Sequence, residues 1–86
     1  MKVYIVIEEY IYDFNHTIQT KVFNSMKKAE EHWNYLINRE KENSWISKKN
    51  DVETIMDIKN HIFEAWVDGR GDEFDTAIYI HEREVF

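Results

Sequence analysis

The chain has no cysteine and only two glycines, Gly69 and Gly71, and its longest apolar run is the five residues from Val3 to Ile7. Without cysteine there are no disulfides, no thiolate metal ligands and no thiol nucleophile. A secreted domain of 86 residues would ordinarily rely on disulfides to hold a small core, so their absence predicts a reducing compartment, the cytoplasm. Phosphate-cradling loops need several glycines so that backbone N–H groups can close on the anion. Here the two glycines are flanked by Asp68, Asp72 and Glu73, which repel phosphate. Five apolar residues are too few for a signal-peptide core or a membrane span. The run therefore reads as a buried strand, and the sequon Asn15-His16-Thr17 is not expected to carry sugar.

What remains is enough for one domain. A chain of 86 residues buries only about 60–65% of the surface its unfolded form exposes, so the core is modest. Aromatic residues at 15%, including Trp33, Trp45 and Trp66, offset that size because each removes a large area from water. The net charge is −6, unevenly spread. Between Lys21 and Asn50 seven basic residues outnumber four acidic ones; the remainder has four basic and thirteen acidic. An acidic balance disfavours phosphate backbones, although the 21–50 region leaves room for a weak basic face.

Val, Ile and Tyr dominate Lys2–Tyr12, with Val3, Ile5 and Ile7 on one side of a strand and Tyr4 and Val6 on the other. A strand apolar on both sides predicts an interior position with both faces covered. Asp13-Phe14-Asn15-His16 supplies a turn, and Thr17–Phe23 returns as a hairpin partner. Asn24 or Ser25 can cap the helix that follows, whose stripe is Met26, Ala29, Trp33, Leu36 and Ile37. Lys27 and Lys28 have Glu30 and Glu31 within reach, and the helix fades near Asn43-Ser44. Trp45–Asp51 is a polar connection.

The stretch 51–68 supports two readings. As a helix it puts Val52, Ile55, Met56, Ile62, Phe63, Trp66 and Val67 on one side, with an Asn50/Glu53 capping box and Gly69 at the end. As a strand, Asn60–Asp68 pairs with Asp75–Phe86 across an Asp68–Asp72 loop. Val3-Tyr4-Ile5-Val6-Ile7-Glu8-Glu9, Val22-Phe23-Asn24-Ser25 with Lys28-Ala29-Glu30, Phe63-Glu64-Ala65-Trp66, Asp68-Gly69-Arg70 and Ile78-Tyr79-Ile80-His81-Glu82 resemble a group of small bacterial and phage proteins. That resemblance implies a hairpin, a helix and a further hairpin, and favours the strand. It brings no activity and no functional residue.

Motifs for catalysis are missing. No serine sits in a glycine-flanked elbow, and Ser25 is a cap candidate. His16, His32, His61 and His81 are scattered without ligand spacing, as expected of surface or half-buried histidines. Asp68, Asp72, Glu73 and Asp75 miss the EF-hand pattern and read as a solvated loop. Arg70-Gly71-Asp72, an integrin-type tripeptide, reads as turn chemistry. Glu8 and Glu9 point to opposite faces of a strand while Glu82 and Glu84 share one, and all four read as solvated strand-end charges.

The expectation is therefore an α+β domain: an antiparallel sheet of about four strands in ββαββ order, with one long helix packed on one face. Because one helix covers one face, Tyr10, Tyr12, Phe74 and Tyr79 form a candidate interaction surface. The expected function is a non-catalytic protein-binding module or regulator, of the kind phages and mobile elements carry, with no cofactor and no metal. Its partner is a protein or a second copy of itself. The alternative is a single-strand nucleic-acid binder using Trp45, Lys48 and Lys49 in the basic 21–50 region, by stacking plus cations.

Overall fold

A computed structural model describes residues 1–85. Its strands are β1 (Lys2–Tyr12), β2 (Asn15–Phe23), β3 (Glu53–Asp57), β4 (Ile62–Val67) and β5 (Phe74–Glu84); one helix, α1 (Met26–Asn43), follows β2. All neighbours are antiparallel, in the order β2-β1-β5-β4-β3. The sheet thus has five strands, in ββαβββ order, and α1 packs on one face.

The helical reading of 51–68 is overturned: this stretch is the β3–β4 hairpin. Its turn carries neither glycine nor proline. Asp57 instead accepts from the backbone N–H of Asn60 at 3.1 Å and from its side chain at 2.9 Å. His61 then takes a left-handed conformation, φ 53°, which brings the chain back. At the first hairpin Tyr12 pairs with Asn15, so Asp13 and Phe14 form a two-residue turn with φ of 51° and 67°. Positive φ at both central positions marks the primed turn that matches strand twist.

Ser25 caps α1, its hydroxyl accepting from the Lys28 N–H at 3.1 Å. Ala29, Trp33, Leu36 and Ile37 are buried along the helix, while Met26 is half-buried. They meet Val6 of β1, Phe63 and Ala65 of β4, and Phe74 and Ile78 of β5. The Trp33 indole donates to the Ile78 carbonyl at 2.9 Å, which ties helix to sheet at its centre. Glu30 faces His61 at 3.5 Å rather than pairing with Lys27 or Lys28. After α1, a short 3-10 turn at Trp45–Ser47 buries Trp45, whose indole donates to Thr76 Oγ1 at 3.1 Å.

Candidate functional site

Six of the seven residues singled out by sequence converge on one cavity. Tyr10, Tyr12 and Phe74, from the ends of β1 and β5, meet Trp45, Lys48 and Lys49, from the 3-10 turn, around a cleft of about 650 Å³. Period two explains the first group. The register Tyr10↔Thr76 and Tyr12↔Phe74 puts these side chains on the helix side of the sheet, beyond the end of α1. Tyr79 lies on the opposite face with Ile7 and Ile62, so the four aromatics do not form one surface.

Within the cleft the roles separate by exposure. Trp45 and Phe74 are floor, 7% and 8% exposed, and their rings lie 5.6 Å apart. Tyr12, 59% exposed, meets Phe74 edge-on at 5.3 Å. The Lys49 ammonium stands 4.1 Å above the Phe74 ring. Trp45 is therefore a core residue and not an open stacking platform.

Behind the floor lies a network that the sequence reading missed. Arg39 of α1 donates to Glu8 Oε1 at 3.3 Å, to the Tyr10 hydroxyl at 3.1 Å and to Glu40 Oε2 at 3.0 Å. Tyr10 donates in turn to Glu8. Burial first, then that hydrogen bond, push the Tyr10 hydroxyl well above its usual value, so it stays protonated at neutral pH. Glu8 is 6% exposed, which corrects its reading as a solvated charge. The signal was its phase: it shares a side with Tyr4, Val6 and Tyr10.

The face away from α1 is the second feature. From edge to edge its middle rows run Thr20, Ile7, Tyr79, Ile62, Asp57 and then Ile18, Glu9, Ala77, Glu64, Ile55. One end is closed by Val22, Ile5 and His81 with Val3 and Arg83, the other by His16, Ile11, Asp75, Trp66 and Glu53. No helix covers this face among the described residues. Ile18, Val22, Ile55 and Ile62 are 40–60% exposed.

At the acidic end the 68–73 loop folds over the sheet. Arg70 bonds Glu64 Oε1 at 2.5 Å and lies 5.3 Å from the Trp66 ring, and the Asp72 N–H donates to the Gly69 carbonyl at 3.3 Å, so the tripeptide does lie in a turn. Gly71 N–H donates to Asp75 Oδ2 at 2.6 Å. Asp75 is 6% exposed, contrary to its reading as part of a solvated loop, and its Oδ1 has no donor among the described residues. Burial first, then the hydrogen bond with the Glu64 carboxylate, push Asp75 up to about 6. Glu9, Glu64 and Asp75 line a cavity of about 350 Å³ that opens on this face, together with His16 and with Arg70, which pairs with Glu64.

No group of three or more histidines and carboxylates among the described residues is arranged to hold a metal ion, and no described helix is long and apolar enough to cross a membrane. No family model, curated protein or solved structure compared with the chain matches it.

Proposed function

We propose that the protein is a non-catalytic protein-binding module, that its working surface is the uncovered sheet face, and that the partner this face fits is a second copy of the chain. The observation that carries the reading is the apolar content of that face, where Val3, Ile5, Ile7, Ile11, Ile18, Val22, Ile55 and Ile62 stand with no cover. Large exposed apolar patches mark interfaces. At ordinary strand spacing and rise the face is roughly 24 Å wide and about 37 Å long at its centre. With β3 and β4 only five and six residues long, that outline encloses roughly 700 Å², close to the share of about 800 Å² each partner brings to a standard interface.

Charge selects the second copy. Arg83 and His81 lie at one end of β5 and Asp75 at the other, with Tyr79 midway; Glu9 and the Arg70-paired Glu64 flank Ala77, one row in from Asp75. A two-fold axis running across the strands above Tyr79 sets Arg83 of each copy over Asp75 of the other, in a cavity where Glu9 and Asp75 are the carboxylates not paired with Arg70. Two sheets packed face to face cross at about 30°, which shifts the strand ends sideways by about one strand. The cavity spans β1, β5 and β4, so an arginine still meets a carboxylate on either side. The nucleic-acid reading, by contrast, needs an open ring at Trp45, and that indole is engaged by Thr76.

Sedimentation equilibrium from about 1 to 100 μM tests the proposal; such faces give dissociation constants in or below this range. We expect a dimer, abolished by Ile7→Glu with the circular dichroism spectrum retained, and weakened about tenfold by Arg83→Ala. A monomer at the highest concentration overturns the reading. So does a dimer indifferent to Ile7→Glu.

A further inference from the structure

The cleft at the end of α1 opens on the helix side, away from the face assigned to self-association, and stands as an independent site. We propose that it binds a planar aromatic anion, with the ring stacked on Tyr12 and the anionic group held by Lys48 and Lys49. Its volume of about 650 Å³ lies within the range of small-molecule sites, roughly 300–1,000 Å³. The floor is the pair Trp45 and Phe74, and the wall is Tyr12, an exposed ring already fixed edge-on to Phe74 at 5.3 Å. Apolar floor, available ring and convergent polar groups are what a planar ligand requires.

The charge of the site follows from its pairing. Arg39 faces two carboxylates, Glu8 and Glu40, so this cluster brings one net negative charge to the cleft. Lys48 and Lys49 have no carboxylate within ion-pair distance among the described residues, in a chain whose net charge is −6. A second opposing effect comes from the C-terminal end of α1, which presents about half a negative charge to the same space. Two unpaired ammonium groups outweigh the two together. The Lys49 ammonium, 4.1 Å over Phe74, is held by the ring face at neutral charge, leaving its positive charge for an incoming anion.

Carboxylate and phosphate carriers of a ring satisfy the same chemistry, so both serve as probes. Isotope-labelled protein would be titrated with 1-naphthoate and with adenosine 5′-monophosphate, using adenosine, inorganic phosphate and a labelled single-stranded oligonucleotide as comparisons. We expect one of the two anionic aromatics to shift the signals of Tyr12, Phe74, Trp45 and Lys49, with adenosine and phosphate at least about tenfold weaker. The probe that binds identifies the anionic group. Tyr12→Ala and the double variant Lys48→Gln/Lys49→Gln should each weaken binding about tenfold. Both changes are at exposed positions, and unchanged shifts elsewhere show that the fold is retained. Silence at Tyr12 and Phe74 up to millimolar probe overturns the proposal. Undiminished affinity in the lysine variant also overturns it. An oligonucleotide bound about tenfold tighter than the mononucleotide replaces it with a nucleic-acid surface.

Discussion

The two faces of this sheet are built from the same strands by the same alternation, and they end in different states. On the helix side Val6, Phe63, Ala65 and Ile78 are 0–1% exposed, closed under Ala29, Trp33, Leu36 and Ile37. On the other side Ile18 and Val22 are 57% and 60% exposed, and Ile5 and Ile7 are only half-buried. The apolar side chains are similar; the cover is not. An isoleucine becomes core only when something closes over it, and one helix of 18 residues closes over one face. The residue pattern of β1 asks for two covers, and this fold supplies the first.

The largest test of that contrast compares like truncations on the two sides. Phe63→Ala should cost about 3–5 kcal/mol, because the cavity beneath α1 cannot collapse. Against a total stability of roughly 5–15 kcal/mol this leaves a large unfolded fraction. Ile18→Ala in dilute, monomeric protein should stay within about 0.5 kcal/mol. Denaturant melts at micromolar concentration measure both, and comparable losses would break the distinction.

A middle-sized test uses the one strongly buried carboxyl on the open face. Asp75 has its pKa raised in the fold from 3.8 to about 6, by burial and by Glu64. The native state therefore holds more protons than the unfolded chain between about pH 4 and 6, and stability falls as pH rises through that window. Asp75→Asn should add about 1 kcal/mol at pH 7.5, once solvent screening is allowed for, and nothing at pH 4. Melts in the Ile7→Glu background keep self-association out of the comparison; a gain independent of pH would contradict the assignment.

The smallest effect lies at the first hairpin. Phe14 sits at φ 67° and is 69% exposed, so its ring contributes little packing to offset a left-handed backbone. Phe14→Gly should stabilise by about 0.5–1 kcal/mol, seen as a rise in Tm. A fall would mean that the ring is packed after all, most directly in the self-associated form.

Much of the covered face was legible because its signals are local. The stripe of α1, the Ser25 cap and the two-sided strand β1 each follow from spacing within one element. The 51–68 stretch was legible only in part: a strand at Asn60–Asp68 paired with the last strand was one of two readings and holds as β4 against β5, while β3 was in neither. Its apolar residues sit at spacings that suit a helix, and the turn dividing them is made by an Asp57–Asn60 side-chain bond and a left-handed His61. No glycine or proline announces it. Arg39 and Glu8 are 31 positions apart, so no window along the chain could pair them. The cleft shows both limits: its six lining candidates were named from composition, while their meeting depended on β5 crossing to β1.

That crossing also sets a timetable. β5 is the last strand in chain order yet lies at the middle of the sheet, between β1 and β4. As the chain leaves the ribosome, the first hairpin and the β3–β4 hairpin have no shared partner until β5 emerges. Neither half can complete a sheet by itself. Pairing between distant segments is slow because the loop must close before any contact repays it. Until then β1 presents apolar side chains on both sides, and nascent chains on one message are exposed to pairing with each other rather than with their own β5.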